Sequence, residues 1–229
     1  MYCSSLTLNC FDKTKFLLFV LGTVLFPYII YQKTSLANNW TRKRRKTLSQ
    51  HYETLLSAFG SMSILWFLGN YEETFTPTTF LFVIVGILGF GYISEILVDT
   101  HHHTLATVHA WNGTMYNVVK LVALAIIILG IYHVQLASHE DDDFFNFYCV
   151  AGVIPVVMAY FAMKTVELQN ENGRQNRVLF HLHHVHLFFA LAFFTRFPTF
   201  VSRMAAGLCI GASMHGAAAF GFDSSFESV

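Results

Sequence analysis

Seven long apolar stretches dominate this chain, at 15–31, 54–69, 78–98, 117–137, 144–164, 180–196 and 199–221. A helix needs about 20 mainly apolar residues to cross a bilayer, within a range of about 17 to 25. Only 12% of the residues are charged and 54% are hydrophobic, whereas soluble domains carry about 25% charged residues. A soluble domain of this size has too little interior to hide so much Phe, Leu, Ile and Val. Lipid removes that difficulty. The expected fold is therefore all-α: a polytopic transmembrane bundle of about seven helices forming a single domain over 1–229. Six spans plus one re-entrant segment is the alternative threading, because the second stretch is short and rich in Ser and Gly.

Orientation follows from the basic residues. Lys33, Arg42, Lys43, Arg44, Arg45 and Lys46 crowd the first loop, which the positive-inside rule places in the cytosol. Alternation then puts the loops near 70–77 and 138–143 outside. They carry Glu72, Glu73, Glu140, Asp141, Asp142 and Asp143 and no Lys or Arg. The loops near 99–116 and 165–179 become internal, in agreement with Lys164, Arg174 and Arg177, while Arg196 is the exception. The amino terminus is expected outside (or in a lumen) and the carboxyl terminus in the cytosol. The first stretch reads as a signal anchor, since no small-x-small cleavage site follows it promptly. Thr195-Arg196-Phe197-Pro198-Thr199 reads as a tight turn between the last two helices, because Pro198 disfavours helix just before it. The run Arg42–Lys46 chiefly sets topology, and it would also attract anionic lipid. Nothing resembles a basic-aromatic nucleic-acid surface.

Histidine is the chemical signal. Of twelve histidines, all but His51, His133 and His139 fall near the internal face in this threading. His101, His102, His103 and His109 lie in an internal loop, and His181, His183, His184 and His186 open the sixth stretch. His215 comes late in the seventh. Gly91, Glu95, Asp99 and His103 recur at i+4 and form one stripe of the third helix if it continues that far. Gly207 and Gly211 make a GxxxG step, which lets helix backbones approach closely, so His215, one turn on, is expected to face a neighbouring helix. On a regular helix His181 and His184 share one face and His183 and His186 a nearly opposite one. The candidate ligands are His101, His103, His109, His183, His184, His186 and His215, with Glu95 and Asp99 as ligands, outer partners or proton carriers. Imidazole suits iron and zinc, and carboxylates orient imidazoles on metals. The default alternative is that interfacial histidines are amphipathic groups at a wet boundary.

These histidines at the cytosolic ends of membrane helices resemble those of di-iron desaturases and hydroxylases, yet that family's HxxxH and HxxHH boxes are absent. The last-helix HxxxH of seven-span zinc hydrolases is absent too. At the carboxyl end, His183-His184, Arg196-Phe197-Pro198-Thr199, Ser202, Gly207-Leu208, Gly211 and Gly216 to Ser224 resemble the last two helices of the multispanning region of fungal LCCL-domain membrane proteins. The resemblance covers about fifty residues, without the LCCL domain. It implies a polytopic membrane protein and no particular reaction.

Three functional expectations follow. The first is a multi-pass membrane protein with a cytosolic-face His/acid cluster that acts as a metal-dependent lipid-modifying enzyme. The second is a non-catalytic structural or interaction protein, whose helices associate through Gly207 and Gly211. The third is a bis-histidine haem electron carrier. Cys149 and Cys209 lie in apolar stretches and Cys3 and Cys10 before the first, so no disulfide framework is expected. The sequons at Asn39 and Asn112 fall on loops expected in the cytosol and are read as chance matches.

Overall fold

The computed structural model describes residues 12–41, 45–69, 71–97, 113–140, 142–162, 165–169, 175–180, 184–221 and 226–228. Helices dominate. They are α1 (Lys13–Ala37), α2 (Leu48–Gly69), α3 (Pro77–Leu97), α4 (Gly113–Ala137), α5 (Asp142–Ala162), α6 (His184–Ala192) and α7 (Phe200–Phe220), and a single turn at Tyr71–Thr74 joins α2 to α3. Three of them hold segments long and apolar enough to cross a membrane: Lys13–Ala37, Pro77–Glu95 and Tyr116–Ala137.

Local chemistry sets the helix ends. Asp12 caps α1, its carboxylate accepting from the amides of Thr14 and Lys15 at 2.9 and 3.0 Å. Thr199 caps α7 by accepting from Ser202 N, the role for which short hydroxyl side chains are favoured. At the far end of α7, Gly221 takes φ +92° while its amide reaches Ala217 O at 3.0 Å. That left-handed geometry is one a Cβ disfavours. Within α1, residues Leu21–Leu25 form a π turn that ends two residues before Pro27. The proline has no N–H, and its ring would press on the carbonyl one turn back. A widened turn relieves that clash.

α7 is the axis of the molecule. Its residues from Ile210 to Ala219 are all buried, and its longest packing seam is with α3. The approach depends on glycine from both sides. A Cβ on Gly207 would run into Thr79 O and one on Gly211 into Val83 O, while one on Gly86 would lie 2.9 Å from Leu208 O. The GxxxG step therefore packs within this chain, against α3. Around the seam, Phe19, Tyr31, Leu65, Ile87, Ile210 and Met214 form one apolar core. Tyr148, Ala137 and Phe197 form a smaller one between α4, α5 and the turn before α7.

Two features differ from the sequence expectation. The sixth apolar stretch, expected as a helix over 180–196, holds the nine-residue α6. At about 1.5 Å per residue that helix is about 14 Å long, half the thickness of the hydrocarbon core. The expected loop 165–179 instead contains two antiparallel strands, β1 (Thr165–Gln169) and β2 (Gln175–Phe180), with Thr165 opposite Leu179. A third strand, β3 (Phe226–Ser228), pairs antiparallel with β2, with Phe226 opposite Phe180. Helices supply nearly all the rest of the described chain.

Candidate functional site

Hydrogen bonds and an ion pair sort the helix ends into two groups. At one end, Lys15 pairs with Glu72 at 3.7 Å, which sets the start of α1 beside the turn before α3. There Tyr71 donates to Ala192 O at 2.7 Å and Thr74 to Arg196 O at 2.8 Å. Tyr148 of α5 donates to Phe194 O at 2.6 Å. The Arg196 guanidinium lies 4.4 Å from the Phe144 ring centre, a cation–π contact that gives this cation an aromatic partner. This is the acidic end, with Glu72, Glu140, Asp142 and Asp143.

The opposite, basic end holds the histidine candidates of the helices. Thr41, just past α1, donates from both its amide and its hydroxyl to Glu95 Oε1, at 2.8 and 2.9 Å. Glu95 thus tethers the first loop to the end of α3. One turn earlier, Gly91 makes room for Trp40, whose ring a Cβ there would meet at 2.6 Å. Trp40 in turn packs on Tyr31 and Tyr92. Lys46 crosses to the end of α7 and donates to Ala217 O at 2.6 Å, Ala218 O at 3.1 Å and Thr54 Oγ1 at 3.2 Å. Gln32 adds a bond to Ala218 O at 3.0 Å. A cation at the terminal carbonyls also suits the helix dipole. One member of the run 42–46 is therefore built into the fold, while Arg45 is exposed; Arg42, Lys43 and Arg44 lie outside the described residues.

His215 is buried at the centre of this end. Its ring meets Tyr31 edge-on at 5.4 Å and lies 6.5 Å from Phe90 and 6.2 Å from Phe220. Its Nε2 is 3.4 Å from Ser94 Oγ, which itself donates to Gly91 O at 2.9 Å. With the serine proton committed to that carbonyl, the serine oxygen is the acceptor and Nε2 carries the hydrogen. His215 therefore faces neighbouring helices, as the spacing from Gly207 and Gly211 predicts.

The other candidates divide into two groups. Asp99, His101, His103, His109 and His183 lie outside the described residues, as do His102 and His181. His184 begins α6, and His186 is half-buried one half-turn on. The elements that carry these segments are adjacent. Phe90 of α3 touches Phe188 of α6 with ring centres 5.0 Å apart, and Ser213 of α7 donates to Val185 O at 2.9 Å. So the end of α3 and the start of α6 flank α7 at the level of His215. Among the described residues, no three His, Cys, Asp or Glu side chains stand close enough together to hold a metal ion.

Two histidines set aside by sequence are structurally engaged. His51 Nδ1 bonds Tyr28 OH at 2.6 Å, linking α2 to α1. His133 is buried at the acidic end, with Nδ1 2.6 Å from Leu129 O and Nε2 2.9 Å from Ser202 Oγ. Only an Nδ1–H can satisfy that carbonyl, so in the neutral ring Nε2 accepts from the serine. Ser202 Oγ also accepts from Phe197 N at 3.1 Å, and Tyr132 donates to Thr199 at 3.1 Å. This network ties α4 to the start of α7. Its sequence signal was a histidine and a tyrosine adjoining within an apolar run, where polar groups need a partner.

The chain matches no protein-family model, no curated protein and no solved structure.

Proposed function

We propose that this chain is a multi-pass integral membrane protein whose basic end faces the cytosol and carries a histidine centre. The observation that carries the reading is the packing of both α3 and α6 on α7 around His215, through Phe90–Phe188 and Ser213–Val185. The histidine-rich segments 101–109 and 181–186 adjoin those two helix ends in sequence, which supports gathering them at one end of the bundle. In this reading the ligands are His101, His103, His109, His183, His184 and His186, with Asp99 beside them. His215 and Glu95 take supporting roles. His215 stands among aromatic rings, and Glu95 accepts two hydrogen bonds from Thr41 on one carboxylate oxygen, which suits both to a place beside the ligands. Iron or zinc held by the imidazoles would supply Lewis-acid or redox chemistry, and the substrate would be a lipid entering from the adjoining leaflet. The carboxyl-terminal likeness to fungal LCCL-domain membrane proteins supports the membrane reading alone.

Metal analysis of detergent-purified protein tests this. One equivalent of iron or zinc per chain, lost in His183→Ala/His184→Ala but retained in His215→Phe, is the expected result. A folded protein with no bound metal supports the second reading, a non-catalytic structural or interaction protein. The observation favouring that alternative is that His51, His133, His215, Glu95 and Lys46 all serve as ties between helices.

A further inference from the structure

A cleft of about 370 Å³ opens on the outer surface of α1, at the acidic end and away from the candidate ligand histidines. Its walls are Leu18, Phe26, Trp66 and Phe80, and the π turn forms part of its floor through Leu21 and Gly22. The floor is set by close packing, since a Cβ on Gly22 would lie 2.9 Å from Phe75 and 3.1 Å from Phe80. Two charged residues line it, Lys15 and Glu72, and they form the 3.7 Å ion pair. Lys15 is more than half exposed, and an ion pair that open to solvent contributes little and parts at small cost.

Depth identifies the occupant. From Lys15 to Phe26 a helix rises about 16 Å, close to half of the roughly 30 Å hydrocarbon core. The cleft thus runs from headgroup level to the bilayer midplane, the reach of one leaflet. Leu17, Leu18, Leu25 and Phe26 beside it are all exposed, which puts its mouth toward lipid if α1 spans the membrane. A bilayer supplies acyl chains along such a surface, and the rim selects among their headgroups. Lys15 matches a phosphate. Glu72 matches a primary ammonium, which has three N–H donors, whereas a quaternary choline has none.

We infer that this cleft is a binding site for one phospholipid with a primary-amine zwitterionic headgroup, its acyl chain lying along the π turn. The inference rests on the membrane reading above, and independently of any metal. The lipid's phosphate takes Lys15, its ammonium takes Glu72, and the one intramolecular pair between α1 and the turn before α3 is replaced by two intermolecular ones.

Native mass spectrometry of the full chain, released from detergent with phosphatidylethanolamine, phosphatidylcholine or phosphatidylglycerol of identical acyl chains, tests it. One phosphatidylethanolamine per chain is expected to survive activation that strips the other two. Glu72→Gln should weaken that retention about tenfold, the worth of one charge-assisted hydrogen bond, and Leu18→Trp should abolish it by filling the groove. Equal retention of all three lipids, or unchanged retention in Glu72→Gln, overturns the inference. Alkaline extraction of native membranes separates the two failures. Protein released by alkali refutes the membrane reading itself, while protein that stays in the membrane but shows no headgroup preference refutes the cleft alone.

Discussion

α7 and α4 are both long enough to cross a bilayer, at 21 and 25 residues, yet they solve opposite problems. α7 is rich in Gly, Ala and Ser and is almost wholly enclosed. α4 is lined with large aliphatic residues that stay exposed, among them Leu121, Leu124, Ile127, Ile128 and Ile131, and only 6% of its apolar window is buried. In water this distribution would be inverted, with the bulky residues inside, so it favours the membrane reading proposed above. In lipid, burying Ile or Leu between helices gains little, because acyl chains solvate them equally well. What gains is close packing of backbones and polar groups that find partners. α7 uses the first through Gly207 and Gly211. α4 uses the second, holding on to the bundle through His133 and Tyr132 at its acidic end.

The sharpest way to break this comparison is to place the same side chain on each helix. Gly211→Leu drives a side chain into the α3 backbone at Val83 and Ile87. Overpacking costs about 1–3 kcal/mol where neighbours can shift, and with backbone as the obstacle the loss should reach or exceed the top of that range. Gly130 of α4 has nothing within 4 Å of an added Cβ, so Gly130→Leu should change stability by no more than about 0.5 kcal/mol. Thermal melts in one detergent read both. Equal losses would mean that α4 is enclosed in the functional protein.

A smaller effect is expected at the polar anchor. His133→Ala should cost about 1–2 kcal/mol, the range for a hydrogen bond between membrane helices. Ser202→Ala also loses the bond from Phe197 N, so it carries a cost of its own, but the bond shared with His133 should make the double mutant less destabilised than the sum of the two by about 0.5 kcal/mol or more. Additive losses in that double-mutant cycle would show that the bond does not form. Smaller still is the cap on α7. Lys46→Met removes a cation from the carbonyls of Ala217 and Ala218 and should cost about 1 kcal/mol, whereas Arg45→Gln, at an exposed neighbour, should be neutral. A melt in which both behave alike would return Lys46 to a role confined to topology.

Much of the frame was legible. The runs 15–31, 78–98 and 117–137 coincide with the three helices apolar and long enough to span a membrane. The turn before Pro198 and the interhelical position of His215 followed from proline sterics and from glycine spacing. The hairpin was missed. Thr165 to Gln169 alternates apolar and polar residues, and Asn170, Asn172 and Gly173 are turn formers, a pattern of period two that a search for apolar runs passes over. The shortness of α6 was hidden because hydropathy does not register where a helix starts. The role of Glu95 was hidden for another reason. Position on a stripe tells which face a side chain occupies, and says nothing of a loop that folds back onto it, as Thr41 does. Asp99, His101, His103, His109 and His183 lie outside the described residues, so the histidine centre stands on the sequence and on the helices that adjoin it.

The central claim is that the path of the helices gathers the two histidine-rich segments at one end of the bundle and at one membrane face. Single cysteines at His102→Cys, His184→Cys and, as the opposite-end reference, Glu72→Cys, in a chain with its four native cysteines replaced, test this directly in sealed vesicles. Labelling by an impermeant maleimide should give residues 102 and 184 the same sidedness and residue 72 the other. Residues 102 and 184 labelled from opposite sides would contradict the account.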